Sequence, residues 1–223
     1  MTDEVSKCQT IVLHGLRSEE YEHPLDRIAL NALEGTPGLE KLIRGINQYG
    51  FEKYYKFQYT GSNIKVTSKV LPDVHEILLS VCQTVNLKQV PSLYIQEGIG
   101  INAFAIGSEK PIIVLNEATV EKLNPKELTF VVGHEVGHIK SQHMVYLQLG
   151  QFLPFFGGMI GMATLGIGDA LVTPINIALG AWARKAEFSC DRAGLLACQD
   201  INAAVTAFMK MAGAPESHYN DLD

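Results

Sequence analysis

Asn124-Pro125-Lys126-Glu127-Leu128-Thr129-Phe130-Val131-Val132-Gly133-His134-Glu135-Val136-Gly137-His138-Ile139 is the stretch that decides the fold. Asn124 can cap a helix, Pro125 suits its first position, and Glu127 stands three residues after the cap, where its side chain can reach back to the cap amide. Within the helix so marked, His134 and His138 are four residues apart. At about 100° per residue they fall about 40° from each other, so two imidazoles share one face and can reach one metal ion. Leu128, Val131, Val132 and Ile139 define the apolar arc, and Glu135 falls inside that arc, where a carboxylate needs a partner. Gly133 and Gly137 each cost about 1 kcal/mol against alanine in a helix interior, which suggests that a neighbouring element approaches closely there.

Two histidines leave a catalytic zinc one protein ligand short, because such sites take three and keep one position open. His143 is one option, but the extended motif with a third histidine needs Gly and His where Ser141 and Met144 stand, so His143 reads as a surface or core histidine. The better option is Glu187 in Ala186-Glu187-Phe188-Ser189-Cys190-Asp191. Glu187 and Asp191 are four apart on one helical face, so one carboxylate can bind metal while the other orients a ligand histidine through its second ring nitrogen. Cys190 projects about 100° away from Asp191 and reads as packing.

Upstream, Ser92 to Gln96, Asn102 to Ile106 and Pro111 to Leu115 are short strand-like runs separated by glycine-containing connections, which predict an antiparallel meander. Ile64 to Thr67 is a further β-rich run, and Pro72 to Val85 reads as a helix with Val74, Ile77, Leu78, Val81 and Val85 on one side. Residues 1–60 read as a mostly polar helical prelude, with Pro24 to Leu33 and Leu39 to Ile46 as its periodic segments. Residues 61–223 make up the rest of a single α+β unit.

The sequence has 223 residues, 47% hydrophobic and 19% charged, so it can bury a core and is too apolar for disorder. Its net charge of -6 gives no basic excess for a phosphate backbone, which excludes nucleic acid as an expected partner. Cys8, Cys82, Cys190 and Cys198 form no paired motif and fit a reducing compartment. The first residues show no basic segment followed by an apolar one, so a cytoplasmic location is expected.

The stretch 144–183 carries one charge, Asp169, and Phe152 to Gly168 is a run of about 17 residues without charge, just under the length of a spanning helix. Two readings are open: a hairpin entering a membrane from the cytoplasmic side, or apolar helices packed against the domain. The second is favoured, with membrane association through 144–183 retained as an alternative.

His134-Glu135-Val136-Gly137-His138, followed about fifty residues later by Glu187-x-x-x-Asp191 and preceded by Asn102-Ala103-Phe104-Ala105-Ile106-Gly107, resembles the HtpX-like zinc endopeptidases. These belong to the gluzincin group, whose family also contains the CAAX-prenyl proteases. The likeness spans roughly residues 70 to 212.

The resemblance implies a zincin-like α+β fold, with a small antiparallel sheet, an active-site helix carrying HExxH and a second helix carrying ExxxD. It implies one zinc ion per chain held by His134, His138 and Glu187, with Glu135 as general base and Asp191 behind the ligands. Asn102, Ala103, Phe104 and Ala105 would form the edge strand that binds substrate. Family members often carry a later Ser/Thr-His-Pro segment near the cleft. This chain has Glu216-Ser217-His218-Tyr219-Asn220 instead, so the oxyanion stabiliser is unassigned, with His218 and Tyr219 the chemically capable candidates.

The function implied is hydrolysis of peptide bonds in extended protein or peptide substrates, by water that Glu135 activates at the zinc. The alternative from another class is a zinc-containing binding or quality-control module that holds apolar protein segments without cutting them. Such a module would normally close the fourth coordination position, for which the sequence offers no ligand.

Overall fold

In the computed structural model, residues 10–36, 51–151 and 167–219 are described, together with Leu39, Ile43 and Leu153; side chains at 51–56, 167–171 and 216 are excepted. Helices α1 (Pro24–Glu34) and α2 (Phe51–Ser62) precede strand β1 (Ile64–Lys65) and helix α3 (Pro72–Thr84). Strands β2 (Ser92–Gln96), β3 (Ala103–Ile106) and β4 (Ile112–Asn116) follow, then helices α4 (Glu117–Lys122), α5 (Pro125–Lys140), α6 (Ile167–Cys198) and α7 (Ile201–Met211). Most of the expected segment 39–46 and of the run 152–168 lies outside the described residues.

The strands form where their composition places them, but the sheet is mixed rather than an antiparallel meander. Its order is β1-β2-β4-β3, with β2 and β4 parallel from Ser92↔Ile112 to Gln96↔Asn116. Among the described residues β3 pairs only with β4, antiparallel, with Ala105 opposite Ile113. The reason lies in burial. Ile112-Ile113-Val114-Leu115 is a continuous apolar run, all of it buried, which suits an interior strand covered on both faces. Ala103, Phe104 and Ala105 are only partly buried and take the edge. The tight β3–β4 turn starts at Gly107, whose φ of +92° a side chain would strain.

Alternation along β2 and β4 divides the core. Leu93, Ile95, Ile113 and Leu115 pack with Val74, Leu78 and Val81 of α3 and Leu128, Val131, Val132 and Val136 of α5. Tyr94, Ile112 and Val114 face the other side, with Tyr59 of α2. The start of α5 is as the sequence predicts. Asn124 Oδ1 accepts from the Lys126 and Glu127 amides at 2.9 and 3.0 Å, while Glu127 Oε2 accepts from the Asn124 amide at 2.7 Å. A cap of this kind contributes about 1 kcal/mol. Lys210 of α7 adds a 2.8 Å ion pair to the same buried Glu127, tying the two helices at this end.

Residues 144–151 are helical, and Leu149 and Leu153 pack with Leu33 of α1 and with Val172, Ile175, Leu179 and Trp182 of α6. Among the described residues no helix is long and apolar enough to cross a membrane.

Candidate metal centre

Helices α5 and α6 cross where both carry small residues. A Cβ on Gly133 would lie 2.6 Å from the Ala197 Cβ, and one on Gly137 would lie 2.7 Å from the Ala193 Cβ. Both distances are far inside van der Waals contact, so the glycines set how close the helices come. That approach brings the carboxylates of α6 to the imidazoles of α5. Gly137→Val is therefore expected to push the helices apart and to cost more than the 1–3 kcal/mol of ordinary overpacking, because backbone rather than a flexible side chain must yield. A thermal melt and a metal titration check it. An unchanged melting temperature with unchanged metal affinity would show that the crossing does not set the site.

At the crossing, Glu187 Oε2 lies 3.2 Å from His134 Nε2, and its Oε1 lies 3.6 Å from His138 Nε2. His134 Nδ1 is 3.0 Å from Asp191 Oδ1. Glu135 is buried and its carboxylate accepts the Ala105 amide of β3. The carboxylate inside the apolar arc has thus found its partner in the edge strand.

The electrostatics follow from these contacts. Burial works against charge on His134, yet its hydrogen bonds to Asp191 and Glu187 hold it up to about 10. Burial and the charge of His134 push His138 down to about 3, so that ring is neutral. Burial raises Glu135 to about 7 against the pull of His134. Glu187 is lowered despite burial, mainly by its hydrogen bond to His134. The acidic pair Glu187 and Asp191 thus already compensates a positive charge at this point, which is what a bound cation requires.

Two imidazole nitrogens and a carboxylate facing both of them match the borderline-soft donor set of a catalytic zinc. His134, His138 and Cys190 form a second conceivable set, with one donor atom each within 4.8 Å of one another. The Glu187 set fits better. Its oxygens face the Nε2 atoms at the cleft, whereas Cys190 is fully buried and its thiol is pushed well above its ordinary value by that burial. The Nδ1 atoms are engaged by Asp191 and, 3.2 Å from His138, by His143.

The centre opens into a cleft of about 670 Å³, which β3 lines on one side and Leu147, Leu179 and Gly180 on another. Asn102 to Ala105 all line it, but the Asn102 backbone is bonded at both groups, its amide to Thr119 Oγ1 at 2.9 Å and its carbonyl to the Asn116 amide at 2.9 Å. This fixes the parity of the strand: Asn102, Phe104 and Ile106 bond toward β4, while the amides and carbonyls of Ala103 and Ala105 turn away from it.

Neither His218 nor Tyr219 lines the cleft; the Tyr219 ring sits under the Lys210 ammonium, 5.4 Å from its centroid. Asp26, Trp182 and Gln148 were not singled out by the sequence. Gln148 lines the cleft with a buried Nε2 that has no hydrogen-bond partner among the described residues. No local spacing links any of the three to the HExxH motif, and only the fold brings them near it.

A short mixed sheet with β3 at its edge, beside a helix bearing HExxH and a second bearing ExxxD, is the architecture of a zincin-like metallopeptidase. The chain belongs to peptidase family M48, whose sequence model matches residues 68–220. It is 30% identical over 216 residues to the plastoglobule-localized metallopeptidase 48, chloroplastic, of Arabidopsis thaliana, covering 96% of this chain and 61% of that protein. It is 28% identical over 214 residues to Protease HtpX homolog 2 of Methanosarcina acetivorans, covering 83% of this chain and 71% of that one. A Protease HtpX homolog of Helicobacter pylori matches at 36% over 78 residues, 34% of this chain and 25% of that protein. The chain thus spans about three fifths of the length of the Arabidopsis relative. No solved structure matches it significantly.

Proposed function

We propose that this chain is a zinc-dependent endopeptidase acting on extended protein segments. The observation that carries the reading is the single carboxylate of Glu187 facing Nε2 of both His134 and His138, at 3.2 and 3.6 Å, beside the buried carboxylate of Glu135. His134, His138 and Glu187 would hold the ion. When bound, zinc supplies Lewis acidity, lowering the pKa of water toward about 7 and polarising a carbonyl.

The remaining work falls to side chains and backbone. Glu135, poised at about 7, accepts the proton of the attacking water and returns it to the departing amine. The Ala105 amide holds that carboxylate in place. Asp191 accepts from His134 Nδ1 and so fixes the ring with Nε2 toward the cleft. Ala103 turns its outer amide and carbonyl, and Ala105 its carbonyl, toward the cleft, where an extended peptide can add as a further strand. Mass spectrometry of a casein digest tests the reading: internal fragments are expected, and their absence with zinc bound would overturn it. A non-cleaving module would have no use for a buried carboxylate poised near neutrality.

The strand parity makes a sharper expectation. Ala103→Pro removes an amide that points away from β4, so the protein should fold and show a raised KM. Ala105→Pro removes the amide that holds Glu135 and should reduce kcat instead. Steady-state kinetics beside thermal melting check both, and two variants that simply unfold would show that β3 does not behave as a free edge.

The protein is proposed to be cytoplasmic, with the 144–183 segment packed within the protein rather than in a membrane, as the burial of Leu149, Leu153, Leu179 and Trp182 together with Leu33 of α1 supports. Carbonate-washed membranes should then contain little of it. Retention in the pellet would mean that the segment inserts.

A further inference from the structure

Behind the metal centre lies a buried chain of polar groups that reaches into the N-terminal segment. Asp26, in the first turn of α1, is 2% exposed. Its carboxylate takes three donors from elsewhere in the chain: Trp182 Nε1 to Oδ1 at 2.9 Å, Ser189 Oγ to Oδ2 at 2.5 Å, and His143 Nε2, 3.2 Å from Oδ2. Ser189 Oγ in turn accepts the His23 amide at 2.9 Å, so its own proton is committed to Asp26. Asp26 is held ionised, since these hydrogen bonds outweigh its burial.

The proton inventory then runs outward from Asp26. An ionised carboxylate only accepts, so the His143 nitrogen facing it, Nε2, carries a hydrogen. The hydrogen drawn to Nε2 by Asp26 leaves Nδ1 of His143 free to accept, and His138 Nδ1 lies 3.2 Å away as its donor, which puts the lone pair of His138 on Nε2, the atom that faces Glu187. The Cys190 thiol approaches the same His143 nitrogen at 3.6 Å, a distance at which a thiol hydrogen bond is weak. Asp191 does for His134 directly what Asp26 would do for His138 through an intervening imidazole.

We propose that Asp26 and His143 are positioning residues that fix the tautomer and orientation of His138, making α1 a working part of the metal centre. Asp26 lies outside residues 68–220, the part of the chain that the family model covers. This inference rests on the reading of His134, His138 and Glu187 as the metal ligands, and the experiment separates the two.

Zinc affinity is measured by chelator competition on folded protein. Asp26→Asn presents an amide donor toward the ring, and His143→Leu removes the intermediary. Each is expected to weaken zinc binding by roughly 10- to 100-fold, the usual effect of losing a partner behind a ligand histidine. His143→Gln keeps an acceptor toward His138 and a donor toward Asp26 and should restore most of the affinity. Leu33→Ala loosens the apolar packing of α1 while leaving every hydrogen-bonding group of the chain in place and should leave affinity near wild type, which separates positioning from general stability.

A measurement on the wild-type protein needs no variant to fold. Two-bond proton–nitrogen correlation spectra of the zinc-loaded form should show His143 protonated on Nε2 and His138 on Nδ1. His143 protonated on Nδ1, or wild-type affinity in both Asp26→Asn and His143→Leu while His134→Ala loses zinc, would overturn the relay alone. Failure of the wild-type protein to bind zinc would instead overturn the ligand assignment beneath it.

Discussion

Glu135→Gln is expected to retain one zinc per chain while losing cleavage by roughly 100- to 10,000-fold, the range that general acid–base catalysis contributes. Glutamine matches glutamate in volume and can still accept the Ala105 amide, so neither β3 nor the helix crossing should shift. What would disappear is the group proposed to take and return a proton. The carboxylate is 6% exposed and raised by burial to about 7, so in the native enzyme it can hold or release a proton near neutrality. An amide cannot. Zinc content by atomic emission, measured on the preparation used for the kinetics, makes the result interpretable. A variant that keeps most of its turnover would remove Glu135 from the mechanism, and one that loses zinc would make it a structural residue.

His134→Ala, His138→Ala and Glu187→Ala should each lose both metal and activity, whereas Cys190→Ser should keep both. The contrast decides between the two conceivable donor sets. Glu187 places an oxygen against each Nε2 at 3.2 and 3.6 Å, and removing it leaves two histidines that do not make a tight site. Cys190 is buried behind the imidazoles beside His143, and serine fills nearly the same volume. Zinc retention by Glu187→Ala together with loss in Cys190→Ser would exchange their roles. Asp191→Ala should weaken binding by roughly 10- to 100-fold, since its Oδ1 lies 3.0 Å from His134 Nδ1, the ring nitrogen that does not face Glu187.

Much of this site was legible in the sequence because its information is local. The cap at Asn124, the spacing of His134 and His138 and that of Glu187 and Asp191 follow from one helical period, and Gly133 and Gly137 announce the close crossing that unites the two helices. The pairing of the strands was less legible. Three short runs joined by glycines look like a meander, and only the burial of Ile112 to Leu115 on both faces sends β4 to the interior beside β2. Asp26 carried no signal at all. It is one acid in the first turn of a helix, a common place for a solvated carboxylate, and its burial depends on Trp182, Ser189 and His143, all more than a hundred residues away along the chain.

The central claim, that this chain cleaves peptide bonds only with a metal held by His134, His138 and Glu187, is tested most directly by titration of activity with zinc. Protein stripped by a chelator is assayed on an internally quenched peptide as zinc is returned. The account predicts no turnover in the stripped protein and full recovery at one equivalent. Turnover undiminished by stripping would contradict it.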